Sequence, residues 1–423
     1  MTDWGDLTEK LKRLGVKLGS ERLPTPALKP KYPIDKVVQG RFLETPLGAV
    51  FSSDHYYPAN HQQGRSKIRP EREISRLAQW AKLERFDPAD YDSFVFIDTE
   101  TTGLSGGTGT MAFMVGAARF VAGNLVLEQF FLQNPAEERA LLTGLSSFLG
   151  EMKAVVSYNG KAFDLPILNT RFVLNGMNNP FEGLAHFDLL PITRRVWKAR
   201  LDQCNLGNIE HHILGLDRDP DEVPGYLVPE IYMDYLHSGD ATPLEGIFKH
   251  NENDVVSLAA LFSTINDLLE DPFGQSEAYA SDHVSIGRLM GSLGDEEMAI
   301  RLYESSNALG GDRVAQTASL LRLAEIYKRR GDWKSALPLW EEAANSNALI
   351  ALVELAKYYE HQEKDYSIAL EKTLKAIALN LSIPEASQPL HMRSDLLKRK
   401  TRLEQYLSEQ NNIHRPSAEN AMG

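Results

Sequence analysis

The stretch Phe94 to Leu104, FVFIDTETTGL, constrains this 423-residue chain more than any other. Phe94-Val95-Phe96-Ile97 is an unbroken apolar run, the pattern of a buried strand. It runs straight into Asp98-Thr99-Glu100. Two carboxylates at the end of a core strand are costly to bury without a compensating charge, and a divalent cation supplies one. Side chains alternate along an extended strand, so residues 98 and 100 project to the same side and both can meet one ion.

Two further blocks follow in order. In AVVSYNGKAFDLP, a short apolar strand from Ala154 to Tyr158 enters an Asn159-Gly160 turn. Asp164 then stands just before Pro166, which suits the first turn of a helix. In HNENDVVSLAALF, Val255, Leu258, Ala259 and Phe262 have helical spacing, and His250 and Asp254, four residues apart, share a helical face. Asp98, Glu100, Asp164 and Asp254 would set four carboxylates around two hard cations, which is what in-line phosphoryl displacement with two metals requires.

These blocks resemble the DEDD superfamily of 3′→5′ exonucleases, which have a ribonuclease H-like fold. Within it, the chain is similar to the bacterial YprB-like family. The resemblance rests on DTETTGLSGGTGT from Asp98, NGKAFDLPIL from Asn159, HFDLLPITRRVWKARL from His186, LGLDRDPDEVPG from Leu214 and HNENDVVSL from His250, and covers about residues 91–270. It implies a mixed β-sheet flanked by helices, with acids at strand ends and on one helix. It also implies that Asp98, Glu100, Asp164 and Asp254 hold two Mg²⁺ or Mn²⁺ ions, and that the substrate is nucleic acid with a single-stranded 3′ end.

His250 is the candidate general base, because an imidazole is suited to proton transfer near neutrality. Here the chain departs from the better-known subclasses of the superfamily. The histidine subclass places His five residues before the last Asp, where this chain has Lys249, and the tyrosine subclass places Tyr four before it. His250 thus combines one spacing with the other chemistry. Orienting Asp254 or substrate is the alternative role, which Asn251 would share.

Substrate contacts are expected from Asn159, Lys161, Thr101, Arg194 and Lys198. Asn159 either bonds the terminal nucleotide or forms the turn, and Lys161 suits a phosphate contact or plain solvation. Arg194, Lys198 and the neighbouring Arg195 have the spacing of a basic ridge for phosphates, or of an exposed helix face. Phe163 reads as core. The pair His186 and Asp188 reads as hydrogen bonding around the site, with an extra metal pair as the alternative. His211 and His212 lack the partners of a zinc site. The glycine-rich SGGTGT, Ser105 to Thr110, lacks Gly-Lys-Ser/Thr and is no P-loop; it reads as a lip over the 3′ end or an ordinary turn.

Charge sharpens this picture. The net charge of −13 argues against a protein that coats nucleic acid broadly. Residues 91–270 hold 24 acids against 11 Lys and Arg, so the acidity is concentrated in the expected catalytic domain. Bound divalent cations would offset part of it, and a polyanionic substrate needs local basic help. One cysteine, Cys204, excludes an intrachain disulfide and reads as a small buried apolar residue in a cytoplasmic protein. No apolar run approaches membrane-spanning length, and MTDWGDLTEKLKRLG has no signal-peptide core.

The expected organisation is an α/β ribonuclease H-like domain, a mixed β-sheet flanked by helices, followed by an all-α TPR-like helical repeat domain. Residues 1–90 form an N-terminal extension. In it, 20–35 is proline-rich and extended, Gly40 to Phe51 is a hairpin turning at Thr45-Pro46-Leu47-Gly48, and Glu73 to Leu83 is a helix. The basic RSKIRPER, 65–72, is a solvated loop or a phosphate-contacting edge. Residues 91–270 are the exonuclease domain. From 280 to 408 the chain repeats itself: Asp295, Asp332 and Asp365 align, as do Ala299, Ala336 and Ala369, at offsets near the tetratricopeptide period of about 34. Asp suits a helix N-cap and Ala a helix contact. Residues 409–423 are polar and expected to be a disordered tail. Function then divides into a 3′→5′ exonuclease with a partner-binding tail, an adaptor built on an inactive nuclease fold, and an endonuclease with the same metals.

Overall fold

The computed structural model describes residues 31–83, 91–103, 109–218, 222–274, 277–382 and 391–413. The amphipathic N-terminal segment, most of the proline-rich stretch, residues 104–108 of the glycine-rich loop and residues 414–423 lie outside the described residues.

A seven-stranded mixed sheet carries the α/β part. Strands β1 (Arg41–Thr45) and β2 (Gly48–Tyr57) form a hairpin. Strands β3 (Gln62–Gln63) and β4 (Ser66–Lys67) make a separate small ribbon. Then come helix α1 (Ser75–Trp80), strand β5 (Phe94–Thr101), β6 (Ala112–Val121) and β7 (Asn124–Phe131). Helix α2 (Glu138–Leu149), β8 (Ala154–Ser157), α3 (Asp164–Leu174), β9 (Ala185–Asp188) and α4 (Leu189–Trp197) follow. The sheet order is β1-β2-β7-β6-β5-β8-β9, antiparallel up to β5 and parallel from β5 to β9. The hairpin is therefore part of this sheet, with Phe51 opposite Phe131.

The apolar run of β5 is buried on both sides. Phe94 and Phe96 pack in one cluster with Phe187 of β9, and Val95 and Ile97 pack in the other with Leu141 of α2 and Leu168 of α3. Helices α5 (Leu206–Ile209) and α6 (Val228–Ser238) lead to α7 (Leu244–Glu270). The first turns of α7 pack Leu244, Ile247 and Phe248 into the second cluster, and Val255 to Leu269 fill the first.

Helix α7 approaches the sheet closely where the sheet has no side chain. Gly116 of β6 is opposite Asp98 of β5 and Gln129 of β7. A Cβ at Gly116 would lie 2.2 Å from Asn251 Oδ1 and 2.8 Å from Val255 Cγ2.

Among the described residues, seven helices follow: α8 (Ala280–Ser292), α9 (Glu296–Leu309), α10 (Arg313–Arg329), α11 (Trp333–Asn345), α12 (Leu349–His361), α13 (Tyr366–Ser382) and α14 (Met392–Ile413). Asp295, Asp332 and Asp365 accept backbone N–H bonds at the starts of α9, α11 and α13. Ala299, Ala336 and Ala369 are all buried. The polar tail expected from residue 409 begins inside a helix, because α14 continues to Ile413. The apolar core does not stop after α7: Ile286, Leu289, Met290 and Tyr303 belong to the same cluster as Phe96 and Phe262. Arg76 also pairs with Asp295 at 2.8 Å, and Arg200 with Asp282 at 3.0 Å.

Gly116→Ala is expected to force α7 off the sheet and destabilise the protein by about 1–3 kcal/mol, the usual range for overpacking. A urea titration checks this; an unchanged midpoint would mean that α7 does not need the close approach.

Candidate active site

The acids of the first and third blocks meet where α7 crosses the end of β5. Asn251, fully buried, joins them. Its Nδ2 donates to Asp98 Oδ2 at 2.9 Å, and its Oδ1 accepts from Gln129 Nε2 at 3.0 Å. Gln129 Nε2 also donates to the Phe248 carbonyl at 2.8 Å. One turn of α7 therefore rests on a ladder of Asp98, Gly116 and Gln129. His250 and Asp254 follow on the same helix: His250 Nε2 lies 3.8 Å from Glu100 Oε1 and 3.6 Å from Asp254 Oδ2.

Asp164 arrives from the other layer. The Asn159-Gly160 turn puts Asn159 in the left-handed region, φ 67°, which asparagine tolerates. Asp188 braces this turn, accepting from Asn159 N at 2.8 Å and Lys161 N at 3.2 Å while capping α4 through Leu190 N. Helix α3 then starts at Asp164, whose carboxylate accepts from the Thr99 hydroxyl. His186 Nε2 sits 2.7 Å from Ser157 Oγ, and burial pulls its pKa down to about 4. The pair His186 and Asp188 thus supports the second block through hydrogen bonds.

Burial raises the pKa of each of the four carboxyls. Asp98 is pushed well up, first by burial and then by Asp254, Asp164 and Glu100. Glu100 rises from 4.5 to about 7 through burial, against the pull of His250. Asp164 rises from 3.8 to about 6, again through burial, and Asp254 is raised for the same reason. Such a cluster holds negative charge at neutral pH only with a cation beside it.

One cation in the chain already does this in part. The Arg218 guanidinium contacts Asp254 Oδ1 and Glu210 Oε2, and lies 3.0 Å from Glu222 Oε1. Glu210 is held by a five-residue π turn, Glu210–Leu214, that follows α5 directly. Glu222 Oε1 also takes His250 Nδ1 at 2.7 Å. With its proton on Nδ1, directed at Glu222, the ring would keep Nε2 as the acceptor on the side of Glu100 and Asp254; Arg218 Nη1 also lies 3.3 Å from Nδ1. Each carboxylate of the quartet is thus turned to a protein group: Asn251, His250, Thr99 or Arg218. Among the described residues, no three His, Cys, Asp or Glu side chains already stand at metal-binding spacing. The donor set itself, four carboxylates whose ionisation is opposed by burial, suits hard oxygen-seeking cations.

The expected substrate residues divide. Asn159, Arg194 and Lys198 line one cavity of about 480 Å³ beside the second block, with Tyr158 and Cys204. Lys161 is exposed. Thr101 is buried, and its hydroxyl donates to the Gly103 carbonyl at 2.9 Å. Arg195 turns away from Arg194 and donates to Ser292 Oγ of α8. The basic run 65–72 is tied to the rest of the fold while Arg65, Lys67 and Arg72 stay exposed. Arg65 donates to the carbonyls of His212 and Ile213, and Arg72 pairs with Asp271. Arg218, Glu222 and Glu210 were not foreseen as site residues. Their signal is a buried-type acid before His211 and an Arg in the acidic loop after Leu214, which no periodicity marks.

Residues 95–266 match RNase_H_2, a family of the RNase_H superfamily. The chain is similar to the uncharacterized protein YprB of Bacillus subtilis (strain 168), with 33% identity over 359 residues, 81% of this chain and 84% of that protein. Among solved structures, the family B DNA polymerase of the hyperthermophilic archaeon Pyrobaculum calidifontis matches at TM-score 0.34 and 16% identity. That match covers 50% of this chain and 29% of the polymerase.

The raised carboxyls give a pH dependence with a definite sign. A carboxyl whose pKa is higher folded than unfolded favours the folded chain while protonated. Its contribution is full below the ordinary carboxyl range and is lost as pH rises through the folded values, about 6 for Asp164 and about 7 for Glu100. EDTA-treated protein is expected to melt at a higher temperature at pH 5 than at pH 7.5, and Mn²⁺ at pH 7.5 should restore stability. A melting temperature that does not change over this window, with or without Mn²⁺, would contradict the electrostatics described here.

Proposed function

The chain belongs to the YprB family and carries an RNase H superfamily domain, and on that footing we propose that it is a metal-dependent 3′→5′ exonuclease of the DEDD type. The observation that carries the reading is the meeting of Asp98, Glu100 and Asp254 with His250 at the end of β5, with Asp164 close enough to raise the pKa values of Asp98 and Glu100.

Asp98, Glu100, Asp164 and Asp254 are the residues that would hold two Mg²⁺ or Mn²⁺ ions. Bound there, the ions would supply Lewis-acid activation of the attacking water and stabilise the leaving 3′-oxygen. The chain's own residues do the rest. His250 Nε2 takes the proton of the attacking water, and Glu222 holds Nδ1–H so that the acceptor nitrogen stays turned to the acids. Asn251 keeps Asp98 aimed at α7. Asn159, Arg194 and Lys198 line the cavity beside the second block, where the terminal nucleotide and its phosphate would lie, and Lys161 and Thr101 are further candidates for contacts with it. The four carboxylates and His250 form one unit drawn from a strand, a helix start and a long helix. An adaptor function alone gives no chemical reason for that unit. The helices from α8 onward, read as a TPR-like array, recruit a protein partner or shape access of the substrate.

An end-labelled oligonucleotide panel of DNA and RNA, with Mg²⁺ and Mn²⁺, tests the reading. The wild-type chain is expected to shorten strands stepwise from the 3′ end only with metal. Asp98→Asn, which removes charge and keeps shape, should abolish cleavage while leaving the melting temperature of the chelated protein equal or higher. A wild-type chain that leaves every strand intact, or cuts internally from the first time point, would contradict the proposal.

His250→Ala is expected to lower kcat by about 10²–10⁴-fold, the usual contribution of a positioned acid–base group. Glu222→Gln, which keeps a hydrogen-bonding partner for Nδ1 and removes its charge, should fall between this variant and wild type. If His250→Ala turns over at nearly the wild-type rate under saturating metal, His250 only positions its neighbours.

A further inference from the structure

Four arginines from two parts of the chain converge on one groove. Arg195 of α4, Arg288 of α8, and Arg322 and Arg329 of α10 line a cavity of about 350 Å³ together with Glu296 and Glu325. Tyr303 of α9 forms its buried floor, 3% exposed. Burial raises the Tyr303 phenol's pKa, and all four guanidiniums pull it back down, so all four bear on the same ring.

Internal partners use up only part of this charge. Arg329 pairs with Glu296 at 2.9 Å, Arg195 donates to Ser292 Oγ at 3.1 Å, and Glu325 lies 3.6 Å from Lys328. Arg288 and Arg322 are exposed and have no carboxylate partner among the described residues. In a chain of net charge −13, four guanidiniums line one concave surface and only Arg329 has a carboxylate partner among the described residues, a local excess of positive charge. A planar guanidinium also matches a phosphate in two-point hydrogen bonding.

One helix, α4, contributes a side chain both to this groove and to the cavity beside Asn159. Arg194 and Lys198 line the cavity that holds Asn159, and Arg195, the next residue after Arg194, lines the groove. Neighbouring positions on a helix differ by about 100° in direction, so α4 offers cations to both cavities at once.

We propose that this groove binds the sugar–phosphate backbone of a nucleic-acid strand, continuing the substrate path from the acidic cluster across α4 onto the helical region. The proposal rests on the nuclease reading above and adds to it a second, remote phosphate site. An acidic peptide would also satisfy arginines. The contribution of Arg195 from the nuclease domain, one residue from the cations beside Asn159, favours a ligand that runs between the two places. The helical region then acts on the length of strand the protein grips rather than on the bond it breaks.

Binding in the full-length chain separates these alternatives. Fluorescence anisotropy would compare the Asp98→Asn chain with the same chain carrying R288E and R322E. The probes are labelled single strands of about twenty and about five nucleotides, both DNA and RNA, a range that brackets typical single-strand site sizes. The charge-reversed variant is expected to bind the long strand on the order of tenfold more weakly. Its salt slope should be shallower by about 1.4, the value for losing two phosphate contacts on a single strand. The short strand should bind equally, and R288E/R322E with Asp98 intact should trim it at the wild-type rate. R288Q/R322Q should fall in between, and because both side chains are exposed, the melting temperatures should agree.

Unchanged long-strand affinity and salt slope would overturn the groove while leaving the nuclease reading intact. Variant-sensitive long-strand binding by a chain that cleaves nothing would overturn the nuclease reading and support the groove. If no strand binds, or if an oligoglutamate peptide alone binds in a variant-sensitive way, the groove is not a nucleic-acid site.

Discussion

Asn251 joins the sheet to the helix that completes the site. Its amide nitrogen holds Asp98 and its amide oxygen is held by Gln129, and the contact exists because Gly116 lies between those two residues with no side chain. A hydrogen-bonded amide buried this completely is expensive to disturb, since every broken bond strands a desolvated group. The seating of α7 therefore sets where His250 and Asp254 stand relative to Glu100. The same seating buries the carboxyls, and that burial is what raises their pKa values.

A buried acid cluster needs a counter-charge, and the fold builds one from the loop beyond the π turn. Arg218 reaches Asp254 from there while Glu210 and Glu222 hold it. Glu222 serves both Arg218 and His250, so the cation that quiets Asp254 and the imidazole proposed as base share one support. A divalent ion on Asp254 would compete with the guanidinium for the same carboxylate. Arg218 and Glu222 thus belong to the proposed chemistry of the site as much as the acids do.

Much of this was legible in the sequence where chemistry and periodicity coincide. The apolar run ending in Asp98 and Glu100 marks a core strand with charges at its end, and the structure puts both residues under α7. His250 and Asp254 could be placed on one face because helical spacing is local. The aligned Asp295, Asp332 and Asp365 were legible for the same reason: an N-cap depends on the next three residues alone. Arg218 was not legible: Glu222 is 4 residues on, but the pairings that bring Arg218 to the acids reach 8 residues back to Glu210 and 36 forward to Asp254, and no pattern marks them. Gln129 was hidden too: a polar residue in a strand says nothing about which distant carbonyl it serves. The basic run 65–72 reads from sequence as a solvated loop or a phosphate-contacting edge; the ties of Arg65 to His212 and Ile213 and of Arg72 to Asp271 are contacts that only the fold creates. The arginine groove falls in the same class, since its four residues span α4 to α10.

The buried carboxylates are proposed to hold divalent cations. Anomalous scattering from crystals soaked in Mn²⁺ addresses it most directly. The account predicts two peaks among Asp98, Glu100, Asp164 and Asp254, with carboxylate oxygens at about 2.0–2.3 Å from the ions. It also predicts that Arg218 has moved off Asp254. Mn²⁺ density elsewhere, with none at these acids and Arg218 still on Asp254, would contradict it.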